Sequence, residues 1–251
     1  MSRCVPGLSC WIAPAALLCS LFAPASVFAA TPIPIAITFA EQAVHLVRDT
    51  GMYSAGRGTA LRADDVIDSG NATIQLDFAG STVAVGPDSQ VFIGRGMELV
   101  LLKGWLKVRG AVPHGVRLST GGVQFDSTGA TVTLHVVPGT SELFPESSDL
   151  PVTELADGKV QRGGKVPREQ FGVKNGTVPL RLATRPSRDF LAGMPRAFLD
   201  VLIPVAVKGP TRPPRRERRA TFAELAPWLA EQPSLRQQVQ RRFSPFTPAP
   251  R

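Results

Sequence analysis

The chain has 251 residues, 43% of them hydrophobic and 19% charged, with 23 Gly, 23 Pro, three Cys and a formal charge of +8. This balance excludes a disordered polyelectrolyte and a multi-span membrane protein, and one Tyr among 7% aromatics leaves little for a base-stacking surface. The length allows one large domain, or one domain with an appendage.

At the N-terminus Arg3 is the only charge before Glu41, and the run from Trp11 to Ala29 is apolar and closes on small residues. That pattern reads as a secretory signal peptide over 1–29. Val27 and Ala29 sit three and one positions before a cut after Ala29, which predicts a periplasmic chain with no integral span once the leader is removed. Two rivals are a lipoprotein cut before Cys19, where Leu18 stands in place of Gly or Ala, and a retained anchor, opposed by Pro14 and Pro24. Cys4, Cys10 and Cys19 all lie in the leader, so the remainder has to fold by packing alone in a compartment that favours disulfides. Asn71-Ala-Thr73 and Asn175-Gly-Thr177 match a glycosylation pattern that is inert in a bacterial chain.

Twenty of the 23 glycines fall between Gly51 and Gly176, and 12 of the 23 prolines follow residue 177, which marks a boundary near 176. Over 40–176 short alternating runs close on Gly, Asp, Asn or Ser, the text of many short strands. In Thr73-Ile-Gln-Leu-Asp-Phe78 the apolar residues share one face, because side chains alternate across a strand. The same reading covers Thr82–Val85, Val91–Ile93, Trp105–Val108, Gly115–Leu118, Val123–Phe125 and Thr131–Val136. Leu99-Val-Leu-Leu102 is apolar on both faces and predicts a central strand covered on both sides. Turns at Ala79-Gly80-Ser81, Gly94–Gly96, Gly110, Gly121-Gly122 and Ser127–Gly129 separate these runs. The spacing fits a β-solenoid-like or β-sandwich domain.

Over 177–220 the text predicts an irregular Pro/Arg-rich linker. Residues 208–251 carry ten Lys or Arg against three Glu, a net of +7 (10 − 3), so nearly the whole charge excess lies there. Over 221–244 short helices are expected: Thr221-Phe-Ala-Glu224 has capping-box spacing, Phe222, Leu225, Trp228 and Leu229 offer an apolar stripe that Pro227 interrupts, and Leu235, Val239 and Phe243 lie four apart.

The order of Leu61–Gly70, Ala72–Ser81, Val83–Phe92 and Leu102–Val108 resembles the FecR-like periplasmic domain, over about residues 44–175. The family's text runs as a Gly-Asp opening turn, an apolar strand, an Asp-Gly-Ser turn, a Gly-Pro-x-Ser step and a Leu-x-x-Gly-x-x-x-Val hairpin. Here Ala79 replaces the turn Asp, and Ala63-Asp64 stands for Gly-Asp. The resemblance implies a periplasmic sensory or scaffolding module, without the anti-sigma and transmembrane parts of the iron-transport regulators.

Chemistry has few carriers. His45, His114 and His135 lack ligand spacing; His45 and His135 read as strand residues, the latter facing solvent, and His114 as a turn residue. Asp64, Asp65 and Asp68 read as solvated turn carboxylates, because a calcium loop needs a closing Glu that is missing. No nucleophile elbow or phosphate loop occurs, so no cofactor, metal or catalytic residue is implied. Arg212, Arg215, Arg216, Arg218 and Arg219 form the most unusual segment: either a solvated spacer, or an interaction element for anions. With Phe222 and Trp228 they are the candidate interaction residues. The expected role is non-enzymatic binding, sensing or scaffolding in the envelope, with an envelope protein or an anionic component (peptidoglycan or lipid headgroups) as partner and no nucleic acid. A cell-wall carbohydrate enzyme is the alternative; it needs two facing carboxylates, for which Asp126 with Glu142 or Glu146 is the available pair.

Overall fold

A computed structural model describes residues 35–156, 158–207 and 209–244. The leader, its cut after Ala29 and all three cysteines lie outside the described residues. The first strands are β1 (Ile35–Ala40), β2 (Val44–Arg48), β3 (Gly51–Ala55), β4 (Ala60–Leu61), β5 (Val66–Asp68), β6 (Ile74–Phe78), β7 (Ser81–Val85) and β8 (Gln90–Ile93). There follow β9 (Glu98–Arg109), β10 (Arg117–Ser119), β11 (Val123–Asp126), β12 (Thr131–Val137), β13 (Thr140–Pro145), β14 (Leu150–Ala156), β15 (Lys159–Val166), β16 (Phe171–Asn175) and β17 (Arg181–Ala183). The last third adds α1 (Arg188–Gly193), a 3-10 turn at Arg196–Phe198, β18 (Arg215–Arg219), α2 (Phe222–Leu225) and α3 (Pro233–Phe243).

The strands make one sheet that curls over itself into two layers. Layer A runs β4-β1-β6-β7-β9-β12-β13-β16-β17, and layer B runs β18-β3-β2-β5-β8-β9-β10-β11-β14-β15. All strand pairs are antiparallel except β9 with β10. Of the two architectures expected, this is the sandwich.

Strand β9 belongs to both layers. Its first half pairs with β8 and β10, and its second with β7 and β12. The text read as two strands around a hairpin is therefore one twelve-residue strand with a bend. Gly104 makes the bend at φ +89°, where an added Cβ would lie 2.3 Å from Ser89 Oγ and 2.6 Å from its Cα. Only glycine fits both the conformation and the space. Ser89 closes the corner, accepting from the Trp105 amide at 2.8 Å and donating to the Trp105 carbonyl at 3.2 Å. This gives the Gly86-Pro87-Asp88-Ser89 step a structural task.

The inward faces follow the alternation in the text. Ile74, Leu76 and Phe78 from layer A meet Leu46, Ile67, Leu99 and Leu101 from layer B in one core, all fully buried. Leu99–Leu102 is central and covered on both sides: Val100 and Leu102 turn outward into a second cluster with Val47, Met52, Val66 and Phe92. That cluster is capped by Leu225, Leu235 and Val239 of the C-terminal helices and by Leu229 of the turn between them. A third cluster covers layer A, with Phe190, Phe198 and Leu202 on Ala84, Trp105 and Phe171. Burial of these seven apolar side chains at about 1.5–3 kcal/mol each makes the C-terminal third part of the domain.

The segment expected as a linker over 177–220 is thus a strap. Buried Lys107 donates to the carbonyls of Phe198 (2.7 Å) and Asp200 (3.0 Å), Arg109 to that of Leu202 (3.2 Å), and Gln75 to that of Ile203 (2.9 Å). Strand β1, before the predicted start at 40, adds a further strand between β4 and β6.

Candidate functional site

The strap leads the arginine run to the edge of layer B. Arg57 donates to the Ala206 carbonyl, the Arg212 amide to the Gly58 carbonyl at 2.7 Å, and the Ala60 amide to the Arg212 carbonyl at 3.0 Å. From there Arg215, Arg216, Arg218 and Arg219 pair with Ser54, Tyr53, Met52 and Gly51 of β3, with Glu217 as the extra residue of a bulge. The Ala220 amide then bonds the Thr50 carbonyl and the chain turns into α2. A run of four arginines in five residues has no preference for strand by itself. Pairing with β3, between the anchored strap and the buried Ala220, imposes it.

All five residues of β18 are exposed. Register sorts their side chains, since residues directly opposite in a ladder share a face. Arg215 and Arg218 stand opposite Ser54 and Met52, on the side of Met52, which belongs to the outer cluster. Each has a carboxylate: Arg218 holds Glu224 at 2.7 Å and Arg215 lies 3.8 Å from Glu217. Arg216 and Arg219 stand opposite Tyr53 and Gly51, on the other side. These two, and Arg212, form no ion pair among the described residues.

Glu224 anchors the strand to the helix. Its carboxylate also accepts from the Thr221 amide (2.8 Å) and hydroxyl (3.0 Å), the reach-back of a capping box. The Arg218 hydrogen bond first, and then the Thr221 amide, push its pKa down from 4.5 to about 2. The same contact raises that of Arg218.

The seven candidate residues do not form one surface. Arg212 and the four β18 arginines share the edge, whereas Phe222 and Trp228 are half-buried and pack into the cluster beneath the helices. Those aromatics serve the lid.

The acidic cluster and His135 have partners of their own. Asp65 is buried rather than solvated, gripped by Arg48 at 2.6 and 2.9 Å. Asp64 receives Gln238 (2.9 Å) and Arg242 (3.1 Å) from α3, and Asp68 receives Gln90 (3.1 Å). His135 does not face solvent: it stacks on Trp105 at 4.0 Å beneath Phe190 and bonds Glu142 at 2.8 Å. The carboxylates required by the enzyme alternative are divided. Asp126 lies in layer B, whereas Glu142 binds His135 and Glu146 binds Lys107 at 3.0 Å and Thr133 at 2.8 Å on layer A. Among the described residues no group of three His, Cys, Asp or Glu is placed to hold a metal ion, and no helix is long and apolar enough to cross a membrane.

At the far end of layer B, Glu154 joins Arg162 (2.6 Å), the Leu180 amide (2.9 Å) and buried Lys174 (3.9 Å). Burial pushes the Glu154 carboxyl up, but the Arg162 hydrogen bond, the Leu180 amide and the two neighbouring cations hold it below the ordinary range. Nearby, Gly121, Gly122, Ser141, Lys174 and Glu231 line an open cavity of about 300 Å³. The Lys174 ammonium is spent on the Gly176 and Val178 carbonyls.

No family model and no curated protein matches the chain. Two solved structures of a protein described as an anti-sigma factor from Parabacteroides distasonis ATCC 8503, at 1.65 and 2.50 Å, are similar to 45% of it at 9% and 8% identity, with TM-scores of 0.37 and 0.36. The chain spans 55% of the length of those structures.

Proposed function

We propose that this protein is a non-enzymatic binding module of the bacterial envelope, whose arginine edge engages an anionic envelope component. The observation that carries the reading is β18: four exposed arginines fixed on a sheet edge, with Arg212 beside them and, among the described residues, only Glu217 and Glu224 as counter-charges. Arginine suits such a task because its planar fork binds carboxylate or phosphate through two parallel bonds and stays charged at any physiological pH. The FecR-like order of strands and turns supports a periplasmic sensing or scaffolding role, and the apolar N-terminal text supports export.

The test is retention of envelope fractions by the purified chain. Retention should weaken steeply with salt, as screening of exposed charges requires, and should vanish when Arg212, Arg215, Arg216, Arg218 and Arg219 are all changed to Gln. Salt-independent retention, or turnover of muropeptides by the chain, would overturn the reading. Intact mass of the exported form tests the cut after Ala29.

A further inference from the structure

Resting on that reading of β18, we infer that its partner is an extended acidic polypeptide segment, which adds to layer B as the next strand. Three observations carry this beyond a general affinity for anions.

First, β18 is paired on one side only. Its ladder runs to β3, and its opposite backbone edge has no strand partner among the described residues. Edge strands normally leave amides and carbonyls in a row that another extended chain can match. Second, the charges decide what can approach. Antiparallel pairing of β18 with a second copy would set arginine against arginine, which is destabilising, so this edge rejects itself and accepts carboxylates. Third, the cations are sorted. On one face Arg218 is held by Glu224 at 2.7 Å and Arg215 lies 3.8 Å from Glu217, whereas Arg216 and Arg219 share the other face with no ion partner among the described residues.

The bulge at Glu217 lets these two free arginines stand opposite Tyr53 and Gly51, residues two apart on β3. Their spacing along the edge is therefore about 6.5–7 Å, two residues of strand rise. An extended peptide with carboxylates at alternate positions, i and i+2, presents the same interval on one face. Its main chain would complete the β18 edge while each carboxylate met one guanidinium. A membrane surface or a sugar polymer supplies anions but no matching row of amides and carbonyls.

The test uses the purified chain and two synthetic peptides of equal composition: acetyl-Glu-Val-Glu-Thr-Glu-Val-Glu-amide, with alternating carboxylates, and the isomer acetyl-Glu-Glu-Val-Thr-Glu-Glu-Val-amide, in which no two Glu stand at i and i+2. The alternating peptide should bind about tenfold more tightly than the isomer, and hydrogen exchange should slow across 215–219 on binding. R216Q/R219Q should lose about tenfold, the scale of charge-assisted hydrogen bonds at a solvated site, whereas R215Q/R218Q should change affinity less than threefold. Thermal melts of both variants confirm that the sheet is intact. Equal binding of the two peptides, equal losses in the two variants, absence of protection over 215–219, or a preference for vesicles with 30% phosphatidylglycerol or for purified sacculi would each overturn the inference. If the peptide fails while envelope retention persists, the anionic-edge reading stands and only the strand-addition inference falls.

Discussion

Replacing Gly104 by Ala should break the corner on which both layers hang. The new Cβ would sit 2.3 Å from Ser89 Oγ, 2.6 Å from Ser89 Cα and 2.8 Å from the Asp88 carbonyl, at φ +89°. The left-handed conformation costs an L-residue about 1–2 kcal/mol, and forcing a methyl into packed backbone costs about 1–3 kcal/mol more. Ser89 cannot withdraw freely, because its hydroxyl holds both the amide and the carbonyl of Trp105. The sum, about 3 kcal/mol, is a large share of the roughly 5–15 kcal/mol that holds a domain together. In urea, with a slope of about 2–3 kcal/mol/M, the midpoint should fall by about 1 M. Gly96→Ala is the control: φ is +67° and nothing lies within 4 Å of an added Cβ, so it should show the conformational cost alone, about 1–2 kcal/mol. Equal midpoints for the two variants would refute the claim that crowding at the bend, beyond backbone conformation, reserves position 104 for glycine.

Ala79 adopts φ +54° in the tight turn between β6 and β7, so Ala79→Gly should raise stability by about 0.5–1 kcal/mol, read as a higher melting temperature; a loss would show that the turn is unstrained. Lys107→Met removes the donor shared by the Phe198 and Asp200 carbonyls and should cost about 2–3 kcal/mol, with faster hydrogen exchange over 196–203; unchanged exchange there would mean the strap is held by Phe198 and Leu202 alone. The depressed pKa of Glu224 means that its contribution is complete above the ordinary 4.5 and is lost as pH falls through about 2. Trp228 fluorescence in a Trp105→Phe background should therefore report loosening of α2 between those limits, and Glu224→Gln should remove the transition. Deleting residues 187–251 uncovers Val47, Val100, Leu102, Trp105 and Phe171, so the product should bind a hydrophobic dye and aggregate, whereas a soluble, dye-negative product would restore the picture of an independent β domain with a spacer.

What the text disclosed and what it hid divide along physical lines. Ile74, Leu76 and Phe78 announce their strand because one face meets water in the unfolded chain and oil in the folded one, and period two records that difference. Leu99–Leu102 discloses its double burial for the same reason. Thr221 and Glu224, and the spacing of Leu235, Val239 and Phe243, disclose the helical lid through local capping and periodicity. The strap is hidden because Leu199, Val201, Leu202 and Ile203 carry no period; their course is set by Lys107, Arg109 and Gln75, which are distant in sequence. Strand β18 is hidden more deeply, since an arginine run signals solvent and only the ladder to β3 makes it extended. His135 misleads because alternation tells which side of a strand is polar, and layer A's second side is itself covered by Phe190. The continuity of β9 is invisible because Gly104 reads as a turn wherever its corner is unknown.

The wrapping of the last third around both layers has a kinetic corollary. Strands β2, β3, β5 and β8 carry greasy outer faces whose covers come from residues 220–239, so more than a hundred residues of later chain must arrive before those faces are sealed. Such long-range closures are slow, and until they occur the half-built sandwich offers bare edges and sticky surfaces to its neighbours. Helix α3, by clasping Asp64 through Gln238 and Arg242, fastens itself to the turn between β4 and β5 like a buckle. Maturation should then be limited by the closing of that clasp.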